Sequence, residues 1–348
     1  MNEAKLHEFM GKVVTDMGGA WMMAMVLIGD ELGLYRAMAD SMAVDADTLA
    51  RRVSCNPRLV REWLDANAAS GYVEAVDDGY RLPPEQAMAL ANEESPVFVA
   101  PGQSVVASCF IDLDKVIAAF RGHGGFPWGE HHHRMFHGVE KFFRPGYQAN
   151  LTTTWLPALD GVVDKLQRGG KVADVGCGHG ASTVIMARAY PSSQFVGIDF
   201  HSPSIEIARK RAADAGVGAR ASFVTATAQS YAERGFDLIC FFDCLHDMGD
   251  PIGAARHARE ALKADGSVML VEPFAGDSLA QNSTPVGRLY YAASTMVCTP
   301  NSLSQDVGLA LGAQAGEARL RKVFEEAGFT RFRRATETPF NLILEARR

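Results

Sequence analysis

The sequence predicts an α/β protein with a largely helical N-terminal part, and three observations carry that reading. From about residue 151 onward, short apolar runs at 171–175, 194–199, 221–226, 236–243 and 267–272 alternate with helical patterns, the rhythm of a parallel sheet covered on both faces. Residues 1 to about 93 instead space their apolar positions as helices do. The chain has 348 residues, 47% hydrophobic and 22% charged, which is enough for roughly two domains with cores of their own.

Taken in order, Trp21, Met25, Ile28, Leu32 and Tyr35 mark a first long helix. Residues 47–53 form a second. Asn56-Pro57 opens a third, with Leu59, Trp63 and Leu64 on its apolar face. A hairpin follows over 72–76 and 80–82, turning at Asp77-Asp78-Gly79. Three helices and a hairpin in that order make a winged helix, assigned here to residues 1–93. Between Ala43 and Leu82 it carries seven acidic residues (Asp45, Asp47, Glu62, Asp65, Glu74, Asp77, Asp78) against five basic ones (Arg51, Arg52, Arg58, Arg61, Arg81). Binding in a nucleic-acid groove needs a positive surface, so this composition argues against a nucleic-acid partner and for a dimerisation module. Residues 14–38 hold more apolar surface than a winged helix can bury alone, which predicts a homodimer.

Residues 94–150 read as a further helical region, broken by a loop at 122–129, and residues 151–348 as the sheet domain. At its end, Arg331–Glu337 and Phe340–Ala346 flank a Thr338-Pro339 turn and read as an antiparallel pair on the sheet's edge. The apolar run Ala20–Ile28 is short for a bilayer and has no cleavage site after it, so no membrane role is expected. The six cysteines form no CxxC pair and read as reduced thiols, which points to the cytoplasm.

The most specific motif is Val172-Ala-Asp-Val-Gly-Cys-Gly-His-Gly180, a strand running through a glycine loop into a helix from Ser182. Glycines stand where the chain turns sharply and a ligand approaches the backbone. The next strand ends in Gly197-Ile-Asp199, and a carboxylate there can accept hydrogen bonds from a ribose. Strand, glycine loop, helix, strand and terminal acid together describe a Rossmann-like nucleotide site. The spacing is G-x-G-x-G, at Gly176, Gly178 and Gly180, with Asp174 two residues ahead of it. An acid in that place suits a cationic amino-acid tail better than a pyrophosphate, so S-adenosylmethionine is favoured over NAD. A glycine turn without a ligand is the weakest reading.

On these residues the region from about 151 to 348 resembles the class I S-adenosylmethionine-dependent methyltransferases. With the winged helix, nearly the whole chain is similar to the small-molecule O-methyltransferases of the caffeate/hydroxyindole type, and most to a bacterial branch of them. The resemblance implies a seven-stranded sheet ending in a hairpin. It places Gly176, Gly178 and Gly180 on the amino-acid end of the cofactor, Asp199 on the ribose and Phe200 on the adenine. Many members have Asp-Ala at the adenine; here the pair is Thr227-Ala228.

The fourth sheet strand ends in Phe241-Phe-Asp-Cys-Leu-His-Asp-Met248, which brings Asp243, His246 and Asp247 to the edge that holds the glycine loop. Asp243 is counted with the cofactor residues and Asp247 with the catalytic ones. An imidazole, with an unperturbed pKa near 6.5, suits a general base at neutral pH. The resemblance implies that His246 is that base and that Glu272, in Met269-Leu-Val-Glu-Pro273, orients it. His131, His132, His133 and His137 invite a zinc reading, but no cysteine or HExxH partner accompanies them, and no metal is expected. In the family the middle helices close the acceptor pocket, which makes Phe126, Trp128, His133, Phe136, Phe142, Phe143 and Tyr147 candidate wall residues. Arg288 to Tyr291 would line the other wall, with Arg134 or Arg288 able to hold an acceptor carboxylate. The expected activity is methyl transfer to a hydroxyl or thiol of a small molecule. The alternative is a cofactor-binding sensor or transcriptional regulator without catalysis.

Overall fold

Helix α1 (Glu3–Glu31) begins where Asn2 accepts the Lys5 amide N–H, and the two helices after it start at equally clear caps. Asp45 accepts the Thr48 N–H ahead of α2 (Ala46–Arg52), and Asn56 with Pro57 opens α3 (Pro57–Ala69). Strands β1 (Glu74–Val76) and β2 (Gly79–Arg81) pair antiparallel to complete the winged helix. Helices α4 (Pro84–Leu90), α5 (Gly102–Ile111), α6 (Leu113–Phe120) and α7 (Arg134–Asn150) follow. The computed structural model describes residues 1–122 and 124–348; His123, in the loop expected at 122–129, lies outside the described residues. Two compact units result, Met1–Phe110 with His133–Gly146, and Ile111–His132 with Tyr147–Arg348.

The first unit packs around Tyr35, whose hydroxyl donates to Asn67 Oδ1 at 2.6 Å and whose ring meets Trp63 edge-on at 4.9 Å. The Trp63 indole N–H donates to the Met25 carbonyl at 2.8 Å, tying α3 to α1. The apolar faces differ from the expected ones in part. Helix α1 meets its own unit along a narrow stripe of Met22, Val26 and Gly29, so Trp21, Ile28 and Leu32 fall outside it and are exposed. Leu59 likewise points to solvent at 70% exposure, while Trp63 and Leu64 are buried. By length and composition, α1 at 29 residues is also long and apolar enough to cross a membrane. The run Ala20–Ile28 understated it, because the polar residues and glycines around that run interrupt the sequence pattern without interrupting the helix.

The second unit is built on a seven-stranded sheet ordered β5-β4-β3-β6-β7-β9-β8. Its strands are β3 (Lys171–Val175), β4 (Gln194–Asp199), β5 (Ala221–Thr225), β6 (Phe236–Phe242), β7 (Leu262–Pro273), β8 (Arg331–Glu337) and β9 (Asn341–Arg347). The first five in that spatial order run parallel, and β9 runs antiparallel to both β7 and β8. All seven residues of β6 are buried, as expected of a central strand covered on both faces. Strand order reverses at β3, between β4 and β6, which opens a crevice at the carboxyl ends of these strands. One expectation is corrected. β7 starts at Leu262, not at 267, because Lys263-Ala-Asp-Gly266 has the composition of a turn but continues the strand past a register irregularity. The last two strands pair antiparallel at one side of the sheet, as expected, with β8 outermost and β9 between it and β7.

Candidate active site

At the end of β3 the chain passes through Gly176, Gly178 and Gly180 with φ of +78°, +50° and +72°, the left-handed region that favours glycine. A Cβ on Gly176 would stand 2.7 Å from Cys244 Sγ, so this loop lies directly against the turn that follows β6. A Cβ on Gly178 would meet nothing within 4 Å, and backbone is therefore open to a ligand at that residue. Asp174 is buried at the strand's end, where one carboxylate oxygen accepts hydrogen bonds from Ser182 Oγ and Thr183 Oγ1, both at 2.6 Å. Its other oxygen, Oδ1, is buried and has no partner among the described residues. Burial pushes this carboxyl up to about 6, against the two hydroxyl donors that pull it down. The orphaned oxygen fits a cationic group arriving from the crevice. Asp199, closing β4, accepts the Gly178 N–H at 2.9 Å and the His201 N–H at 2.8 Å, one on each oxygen. Each oxygen keeps a second lone pair for a ribose hydroxyl. Burial also raises this carboxyl above its ordinary value. Phe200, the next residue, is 53% exposed; Thr227 bonds to Ser230 at 2.8 Å, and Ala228 is half-buried.

After β6 the turn Leu245–Asp247 carries the second constellation. His246 and Glu272 are both buried, and Nδ1 of the imidazole bonds to Glu272 Oε2. The other oxygen of Glu272 accepts the Leu245 N–H at 3.1 Å, so the carboxylate grips both the ring and the backbone of its turn. Nε2 then faces Asp247 Oδ1 at 3.1 Å. Burial alone would lower the imidazole's pKa; the carboxylates of Glu272 and Asp247 outweigh it and hold it well above 6.5. Asp243 adopts a positive φ of 49° and is pushed up to about 7 by burial and by the nearby Glu272. Its oxygens accept Tyr147 Oη at 2.9 Å and Asn341 Nδ2 at 2.8 Å.

The remaining candidates are spread over both units. Tyr147 packs against Phe242 and Trp155, at ring distances of 5.3 and 5.9 Å. Tyr291 is half-buried and near Asn282, and Arg288 is exposed on the same helix, Pro285–Ala293. His133 and Arg134 belong to the first unit, where Arg134 forms an ion pair with Glu31. Of the histidine run, His131 is buried against Phe126 at 4.1 Å with Nδ1 towards Asp112, while His133 and His137 are exposed. Asn341, Asp112 and the place of Cys298 escaped the sequence reading. Asn341 comes from β9, about a hundred residues from Asp243, and the Asp112–His131 pair is joined only by the fold. Cys298, buried and raised to about 12 by that burial and by Asp247, lies in the field of His246. None of these carries a local signal that spacing could have revealed.

This geometry meets its counterparts among known proteins. Residues 166–328 match the model of a methyltransferase domain, and residues 20–92 that of an Rv2258c-like winged HTH domain. The chain thus has a methyltransferase domain of the class I fold preceded by a winged-helix domain. Its structure is similar along nearly its whole length to several solved methyltransferases. Human N-acetylserotonin methyltransferase in complex with S-adenosylmethionine superimposes with a TM-score of 0.69 at 16% identity, over 97% of this chain and 96% of the other. For the mitomycin 7-O-methyltransferase the TM-score is 0.68 at 17% identity, with both chains covered in full. For an O-methyltransferase family protein from Burkholderia thailandensis it is 0.71 at 15%, over 97% and 98%. No curated protein matches the chain by sequence.

Proposed function

We propose that this methyltransferase takes its methyl group from S-adenosylmethionine and transfers it to a hydroxyl or thiol of a small molecule, with His246 as general base. The observation that carries this reading is the buried Glu272–His246 pair, whose histidine sits on a turn packed directly against the glycine loop of a nucleotide site. The solved relative of human origin holds S-adenosylmethionine, and the residues of this site suit the same molecule. Asp174 Oδ1 would take the ammonium of the amino-acid tail, the backbone at Gly178 would lie along it, and Asp199 would take the ribose hydroxyls. Phe200, Thr227 and Ala228 stand where the adenine would lie. Bound there, the cofactor supplies a methyl group already activated by its sulfonium.

The chain's own work is then to hold the acceptor in line and remove its proton. Glu272 accepts a hydrogen bond from Nδ1–H, which keeps that proton on Nδ1 and leaves the lone pair on Nε2, the nitrogen turned away from Glu272. Asp247 stabilises the imidazolium that forms. Asp243 braces Tyr147 beside the site. A base held above 6.5 must first lose its proton to solvent, so turnover rises with pH through that raised value. The exposed apolar side chains of α1, among them Phe9, Val14, Met17 and Trp21, support a homodimer through the N-terminal unit. A labelled-methyl screen against phenols, hydroxy acids and thiols tests the activity. With the acceptor in hand, His246→Ala should lose ~10²–10⁴-fold in turnover while cofactor affinity holds. Activity within about twofold of the wild type, with chemistry limiting, would remove His246 from the reaction.

A further inference from the structure

We propose that Nε2 of His246, Oδ1 of Asp247 and Sγ of Cys298 form a zinc site with one coordination position left open. Among the described residues these donors all lie within 4.8 Å of one another, on side chains that are buried or half-buried. A tetrahedral Zn²⁺ with bonds of about 2.0 Å to N and O and 2.3 Å to S spaces its ligands by roughly 3.3–3.6 Å. The Nε2–Oδ1 separation of 3.1 Å is already close to that, and Cys298 Sγ lies within 4.8 Å of both atoms. Asp247 Oδ1 is buried, and although Nε2 is near, it receives no well-aligned hydrogen bond among the described residues. A cation would satisfy it.

Two further features point the same way. Glu272 holds Nδ1 of His246, which is the outer carboxylate that fixes a metal-binding imidazole and makes its second nitrogen a better donor. The backbone carrying the ligands is also pinned. The Asp247 carbonyl accepts from Asn301 Nδ2 and Gln305 Nε2, both at 3.1 Å, and the His246 carbonyl from the Gly312 N–H at 3.3 Å. Cys298 ends a π-helical turn, Ser294–Cys298, a local widening that recurs at functional sites. One thiolate, one imidazole and one carboxylate select zinc over magnesium or calcium, which prefer oxygen alone. On binding, the Cys298 thiol gives its proton to solvent and the sulfur's electron pair to the metal, so affinity rises with pH. The metal occupies the nitrogen assigned above as the base; on that reading zinc inhibits methyl transfer, but the site itself stands without it.

The test reads the metal directly in the full-length chain, so failure of the methylation reading leaves it intact. Equilibrium dialysis against micromolar Zn²⁺ should show the wild type holding one equivalent more than Cys298→Ser and one more than His246→Ala. Both variants are checked for the wild-type melting transition. X-ray absorption of the zinc-loaded wild type needs no variant: it should show sulfur at about 2.3 Å together with imidazole nitrogen. Equal zinc in all three proteins, or a metal shell of oxygen and nitrogen alone, overturns the proposal.

Discussion

Replacing Glu272 with glutamine changes one atom and forces a choice between two bonds. The carboxylate now accepts the Leu245 N–H with Oε1 and the His246 Nδ1 proton with Oε2. An amide has one acceptor oxygen. If that oxygen stays on Leu245, the NH₂ faces Nδ1, the proton moves to Nε2, and the ring cannot act as a base there. If the amide flips to restore the working tautomer, the Leu245 N–H is left facing an NH₂ in a buried place, at a cost of about 1–3 kcal/mol. The active arrangement is therefore depopulated on the order of 10–10²-fold, and turnover should fall by that factor. This is less than the loss in His246→Ala, because the base itself remains. Removing the charge that holds the imidazole up should also lower the apparent pKa of the rate, with burial pulling down against Asp247 alone. Single-turnover rates across pH, with cofactor and acceptor saturating, measure both effects. An unchanged rate together with an unchanged pH profile would refute the role given to Glu272.

Three other outcomes are expected. Asp199→Ala should weaken cofactor binding by about 1.5–3 kcal/mol by calorimetry, since it removes the ribose acceptor and frees the Gly178 and His201 amides that shape the loop. Cofactor affinity should fall as the pH drops through about 6, where Asp174 takes up its proton, and Asp174→Asn should bind weakly with that dependence gone. Trp21→Glu, at a position 71% exposed on α1, should convert a dimer to monomers in light scattering; a wild-type particle of 37.6 kDa at micromolar concentration would refute the homodimer.

The amino-acid sequence reveals whatever is written locally. β3, β4 and β6 are apolar runs bounded by glycine or acid, and the motif from Val172 to Gly180 carries its strand, turn and helix within one short segment. The helix start at Asn56-Pro57 is equally local. Contact between distant segments has no such signature: the Asp243–Asn341 bond, the Asp112–His131 pair and the place of Cys298 beside His246 exist only once the sheet has formed. The exposed side of α1 and Leu59 were misplaced for a related reason. Periodicity shows that a helix has an apolar face but not how wide a strip its neighbours cover. At β7, the turn-like Lys263-Ala-Asp-Gly266 was overridden by pairing on either side of it.

Strand β9 sits between β7 and β8, and this imposes an order on the molecule's assembly. The parallel strands can join as they are synthesised, but β7 keeps an open edge until residues 341–347 have arrived to fill it. Until then that edge offers unpaired backbone groups to any other strand, including one from a neighbouring nascent chain. The same late segment brings Asn341 to Asp243, so the turn beside the glycine loop gains one of its supports only when the sheet closes. Contacts across so many residues slow folding. A chain ending short of residue 341 would therefore lose an interior strand and a support of the candidate active site in a single cut.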